Sequence, residues 1–158
     1  MKEHKSTAIT LDAWAVLAWL QGEPAAAAVK NLLEWAEGNE KAKHALAGLL
    51  SGLDTPPHLF LNLVNLGEVY YILGRRQGAS EAKEVIEAIK SGPVNLVEAT
   101  EEVVMAAAAI KMKHALSYAD AFAAATARLK NASLLTGDPE LKSLEEVPIL
   151  WIGDRESK

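Results

Sequence analysis

Short strand-like runs alternate with longer helix-like ones along the chain, starting with Thr7 to Leu11, a β-compatible stretch that stops at Asp12. AWAVLAWL follows with the length and alanine content of a helix ending near Gln21-Gly22. A second helix is predicted from Glu23-Pro24, where proline suits a first turn, to about Gly38, with Val29, Leu32, Leu33 and Trp35 or Ala36 on its apolar stripe. Residues 39–57 mix a helical pattern with glycines and end in Asp54-Thr55-Pro56-Pro57, which reads as a helical insertion closed by a break. Beyond it, His58 to Leu61 reads as a buried strand and Val64 to Arg75 as a helix. Ser80 to Lys90 reads as another helix, with Ser80 as its cap and Val85, Ile86 and Ile89 apolar. Val94 to Val97 is predicted as a strand, Thr100 to Lys113 as a helix capped by Thr100, and Tyr118 to Lys130 as a further helix. Ser133 to Thr136 and Ile149 to Ile152 complete the strands, separated by the turn Gly137-Asp138-Pro139 and the segment from Leu141 to Val147.

Such alternation predicts an α/β fold with a parallel sheet. A length of 158 residues and 50% hydrophobic content fit one domain able to bury its own core, spanning 1–158 with its core at about 7–152. The N-terminal MKEHKSTAITLD lacks a signal-like apolar run, and no stretch is apolar for long enough to span a bilayer, so a cytosolic protein with no membrane contact is expected.

Composition narrows the chemistry. The absence of cysteine removes disulfides and thiolate zinc sites, and His4, His44, His58 and His114 each stand without a second ligand at helical or hairpin spacing. Any metal must then be held by oxygen, which points to a hard cation such as Mg²⁺ or Mn²⁺. A formal charge of −5 argues against a nucleic-acid partner until four acids are set aside as ligands. Two divalent ions offset those four charges and take the loaded protein from −5 to −1.

Those four acids are Asp12, Glu68, Asp120 and Asp138, each in an apolar or turn setting at a strand end or near a helix start. Ligand sites of open α/β sheets form at the carboxyl ends of strands. Every one also has a plainer reading: Asp12 and Asp120 as helix caps, Glu68 on a narrow polar helix face with Asn65, and Asp138 as an Asp-Pro turn. Four carboxylates brought together repel unless cations neutralise them, and such a set is what a one- or two-metal phosphodiesterase requires.

ITLDAWAVLAWLQGEP, NLGEVYY, LSYADAFAAATA and LLTGDPEL, in that order, resemble the successive acidic motifs of PIN domains, with VapC-type toxins the nearest in pattern. The resemblance covers Ala8 to Ile152. It implies a three-layer α/β/α sandwich around a parallel sheet and Mg²⁺- or Mn²⁺-dependent endonucleolytic cleavage of RNA. By motif, Asp12, Asp120 and Asp138 would hold the metal, while Glu68 would ligate it directly or through water and orient the attacking water. Thr136, two residues before the last acid, would position that loop. The resemblance further implies a homodimer and a small antitoxin protein covering the active groove.

Two departures stand out. Trp14 occupies a position where the family often has a small hydroxyl residue, and the stretch at 39–57 is longer than the corresponding connection in many such toxins. Trp14, Trp19 and Trp35 are candidates for partner surfaces, with core burial the plainer reading, and Arg75, Arg76, Lys111, Lys113, Arg128 and Lys130 for phosphate contacts, with a solvated helix face the plainer one. A catalytically inactive PIN-fold module that only docks a protein or RNA is the competing function, and a DNA-directed or phosphatase-like hydrolase is a third.

Overall fold

The computed structural model describes residues 7–50 and 54–154. His4 and part of the predicted insertion fall outside them. Five parallel strands, β1 (Ala8–Leu11), β2 (His58–Asn62), β3 (Val94–Val97), β4 (Ser133–Thr136) and β5 (Ile149–Trp151), form one sheet in the order β3-β2-β1-β4-β5. The helices are α1 (Ala13–Leu20), α2 (Ala26–Ala36), α3 (Glu40–Ala45), α4 (Leu63–Gln77), α5 (Ala79–Ser91), α6 (Glu101–Lys113) and α7 (Tyr118–Leu129). A 3₁₀ turn, Pro139–Leu141, follows β4.

Alternate residues of each strand enter opposite faces, and each face is covered. Ile9, Leu11, Leu59, Leu61 and Leu135 pack with apolar residues of α1 to α5 in one core. Leu134 joins α6, α7 and the segment around Leu141, Leu144 and Val147 in the other. The result is the expected three-layer α/β/α sandwich with a parallel central sheet. Because α7 packs against α6, α4 and three strands, Ala121 through Ala127 are all buried, which explains its alanine-rich sequence. Small side chains let neighbouring elements approach from every side.

Most boundaries fall where the pattern placed them, with two corrections. The second helix begins at Ala26, because Pro24 and Ala25 form a preceding turn and its Ala25 cap carries no side-chain acceptor. Ser80 does not cap α5. Gly78 holds that position, with φ +99, a conformation that favours a residue without Cβ, and it also ends α4. Thr100 does cap α6, accepting from the Val103 N–H at 3.3 Å. Within 39–57, α3 packs on α2 and buries Ala42 and Leu46.

From β1 the chain winds through β2 to β3, then crosses back to place β4 and β5 on the other side of β1. Strand order therefore reverses between β1 and β4. The crevice outside the carboxyl ends of those two strands is where ligand sites of such sheets form, and Asp12 and Asp138 follow those two ends. Among the described residues no helix is long and apolar enough to cross a membrane.

Candidate metal centre

Asp12 leaves β1 and caps α1. Its Oδ1 accepts from the Ala15 N–H at 2.8 Å, while Oδ2 accepts a short hydrogen bond from the Thr136 hydroxyl. The same Thr136 oxygen accepts from the Asp138 N–H at 3.0 Å. One hydroxyl thus ties the acid after β1 to the backbone of the acid after β4. Asp138 in turn caps the 3₁₀ turn, accepting from the Glu140 N–H at 3.0 Å. The capping and turn readings of Asp12 and Asp138 are therefore correct, and they coexist with a shared location.

Asp120 is different. Ser117 caps α7, its Oγ accepting from the Asp120 N–H at 3.1 Å, so Asp120 is free of capping duty and sits in the first turn of the helix. Glu68 projects from α4, half-buried. Two polar links hold the β2–α4 junction and α4 against α7: Asn62 Nδ2 donates to Thr126 Oγ1 at 3.0 Å, and Asn65 Nδ2 donates to the Ala119 carbonyl at 3.0 Å. Asn65, predicted to share a face with Glu68, is fully buried, and its Oδ1 has no hydrogen-bond partner.

Glu68, Asp120 and Asp138 line one open cleft of about 420 Å³ with Trp14, Leu17 and Ile72. Carboxylate oxygens of Asp120, Asp138 and Glu140 lie within 4.8 Å of one another, a spacing that allows a single cation to be shared. Glu140 escaped the sequence reading. Its only signal is its place two residues after Asp138, where the 3₁₀ turn brings it back toward Asp120. Asp12 lies behind this group, fully buried, and is coupled to it through charge.

Burial raises the Asp12 carboxyl to about 7, with Asp138 and Glu68 adding to the rise and the Thr136 and Ala15 hydrogen bonds opposing it. Asp120 is pushed up to about 8, first by burial, then by Asp138 and Asp12, against the Ser117 hydrogen bond. Glu68 is raised as well, by burial and then by the Asp138 charge. Among the described residues no ion pair engages these acids. An all-oxygen donor set in which burial first, and neighbouring acid charge second, raises the proton affinity of Asp12, Glu68 and Asp120 fits a hard divalent cation.

The remaining candidates separate. Trp35 is core, 3% exposed, which removes it from any partner surface, and Trp19 packs at the edge of the same core. Lys111 donates to the Leu116 carbonyl at 2.7 Å, so it holds the turn before α7. Arg75 lies over the Tyr71 ring and Lys130 over Phe60. Arg128 and Lys130 stand at the opposite end of α7 from Asp120, roughly 12–15 Å along the axis. Arg76 lies in a hollow next to Trp14.

The family model for the PIN domain matches residues 9–147. Among solved structures, the chain is similar to VapBC2 from Rickettsia felis bound to a DNA fragment from their promoter, with a TM-score of 0.64 at 14% identity over 90% of this chain and 97% of that one. It is similar to a toxin-antitoxin complex from Klebsiella pneumoniae, with a TM-score of 0.55 at 16% identity over 88% and 94%. The third is VapC20 of Mycobacterium tuberculosis, a sarcin-ricin loop cleaving toxin, with a TM-score of 0.56 at 22% identity over 89% and 98%. No curated protein sequence matches the chain.

Proposed function

Because the chain belongs to the PIN-domain family, we propose that it is a Mg²⁺- or Mn²⁺-dependent endoribonuclease, the toxin of a toxin-antitoxin pair. The observation that carries this reading is the convergence of acids from four separate elements, Asp12, Glu68, Asp120 and Asp138, at the switch point of the sheet, without an ion pair to any of them among the described residues. A fold gains nothing in stability from that arrangement, so a ligand explains it better than packing does.

Asp120 and Asp138, with Glu140 within reach, would hold the cation at the cleft, and Asp12 would support it from below through its charge and its hydrogen bond to Thr136. When bound, the cation supplies positive charge to the phosphate and makes water a stronger acid. Thr136 keeps Asp12 and the Asp138 backbone in register. Glu68, on the cleft wall with a raised affinity for protons, would orient the attacking water and take its proton.

The solved relatives described as a toxin-antitoxin complex and as a sarcin-ricin loop cleaving toxin support an antitoxin partner and an RNA substrate. An antitoxin would cover the cleft. The exposed Tyr70, Tyr71 and Met105 are available to a partner or to a second copy in a homodimer. The test is cleavage of a labelled structured RNA with Mn²⁺, with EDTA, and by Asp120→Asn. Metal-dependent cutting that drops at least about 100-fold in the variant is expected, since the variant loses a charged ligand. Full activity in Asp120→Asn would remove the site assignment, and RNA binding without cutting would favour the inactive module.

A further inference from the structure

Trp14 has no part in the chemistry proposed above, yet it borders it. It follows Asp12 on the first turn of α1, and its six-membered ring rests on Gly137, where a Cβ would collide with it. The ring is only partly buried. It forms one wall of the acid cleft beside Glu68 and Asp138, and also borders a second hollow of about 240 Å³ walled by Leu17, Gln21, Glu23 and Arg76. The indole is therefore a partition between carboxylates and a compartment holding an amide, a carboxylate and a guanidinium.

We propose that Trp14 and this second hollow form a nucleobase subsite for the nucleotide next to the scissile phosphate, an inference that rests on the nuclease reading. A flat aromatic ring steadied from behind by Gly137 offers a π surface to any unstacked base. Gln21 and Glu23 carry the donors and acceptors that a base edge requires, and Arg76 is suited to the adjoining phosphate. A paired base keeps its faces covered and cannot use the ring. The subsite thus selects an unpaired nucleotide at the cut, which a small hydroxyl residue at position 14 could not do.

The test uses the full chain. Trp14→Leu removes the π face but keeps apolar bulk over Gly137, and Trp14→Phe keeps an aromatic ring. Each is combined with Asp120→Asn, so that short single-stranded RNAs carrying 2-aminopurine or an abasic ribose at successive positions bind without being cut in Mg²⁺. Aminopurine fluorescence should be quenched at one position. There Trp14→Leu should weaken binding by about 10-fold, the order of one base-aromatic stack, leave the matching abasic strand unchanged, and be largely rescued by Trp14→Phe. In the otherwise native protein, Trp14→Leu should raise KM with little change in kcat.

Equal weakening of base-containing and abasic strands would show a merely structural ring and overturn the subsite. So would unchanged binding of both. If the native protein cuts RNA while Trp14→Leu discriminates as before, the subsite falls and the nuclease stands. If the native protein neither binds nor cuts RNA, the nuclease reading falls first and takes the subsite with it.

Discussion

Thr136 serves two acids through one oxygen, donating to Asp12 and accepting from the Asp138 N–H. Thr136→Val keeps the shape and removes both bonds. Since the lost hydroxyl opposes the rise of Asp12, its carboxyl should move above about 7 and the pH at which the metal binds at half-saturation should shift upward. A titration of Mn²⁺ binding against pH checks the direction; an unchanged or lowered midpoint would contradict it. Gly137 is required for a different reason. Its φ is ordinary, but a Cβ would enter the Trp14 ring, so Gly137→Ala should destabilise by about 1–3 kcal/mol, the usual cost of overpacking. The double variant with Trp14→Leu should recover most of that loss in thermal denaturation. Recovery would not occur if backbone conformation were the reason for glycine.

The helices carry the acids to the sheet by two means, caps and small residues. Ser117 starts α7 at the edge of the cleft, leaving the Asp120 side chain available, and Ser117→Ala should cost about 1 kcal/mol of stability and loosen the first turn that presents Asp120. Urea denaturation reads the first effect and Mn²⁺ affinity the second. Ala123, Ala124 and Ala125 lie at 0% exposure in the middle of α7, so Ala124→Leu, one turn beyond Asp120, should destabilise by about 1–3 kcal/mol in the same urea denaturation. Helix existence was legible from periodicity because α2, α5 and α6 each present an apolar stripe to the core. Caps were less legible. Thr100 announced itself by standing before two glutamates, whereas α5 starts on Gly78, whose role depends on a backbone angle and not on side-chain chemistry.

For the molecule as a whole, the acid cluster links metal, pH and stability. Asp12 and Asp120 bind protons more tightly folded than unfolded, so their contribution is fully present below about pH 4 and is lost as pH rises through about 7 and about 8. Metal-free protein should therefore lose stability between those limits, and Asp120→Asn should flatten the slope. Saturating Mg²⁺ or Mn²⁺ should oppose the loss, by about 2.7 kcal/mol at a hundred times its Kd, as read by thermal melts with and without EDTA. A melt in which metal changes nothing at pH 8 would argue against a cation site. The order of strands and helices, the parallel sheet and four of the five clustered acids could be read from the residues, because burial periodicity and ordered acidic motifs are properties of local sequence. Two things depended on the folded chain: that Glu140 returns to within 4.8 Å of Asp120, and that Trp14 lies on Gly137. Each is a contact between residues whose separation in sequence says nothing about distance. Only when β4 pairs with β1 does the turn after one strand meet the helix after the other, and proximity, charge repulsion and proton affinity all follow from that pairing.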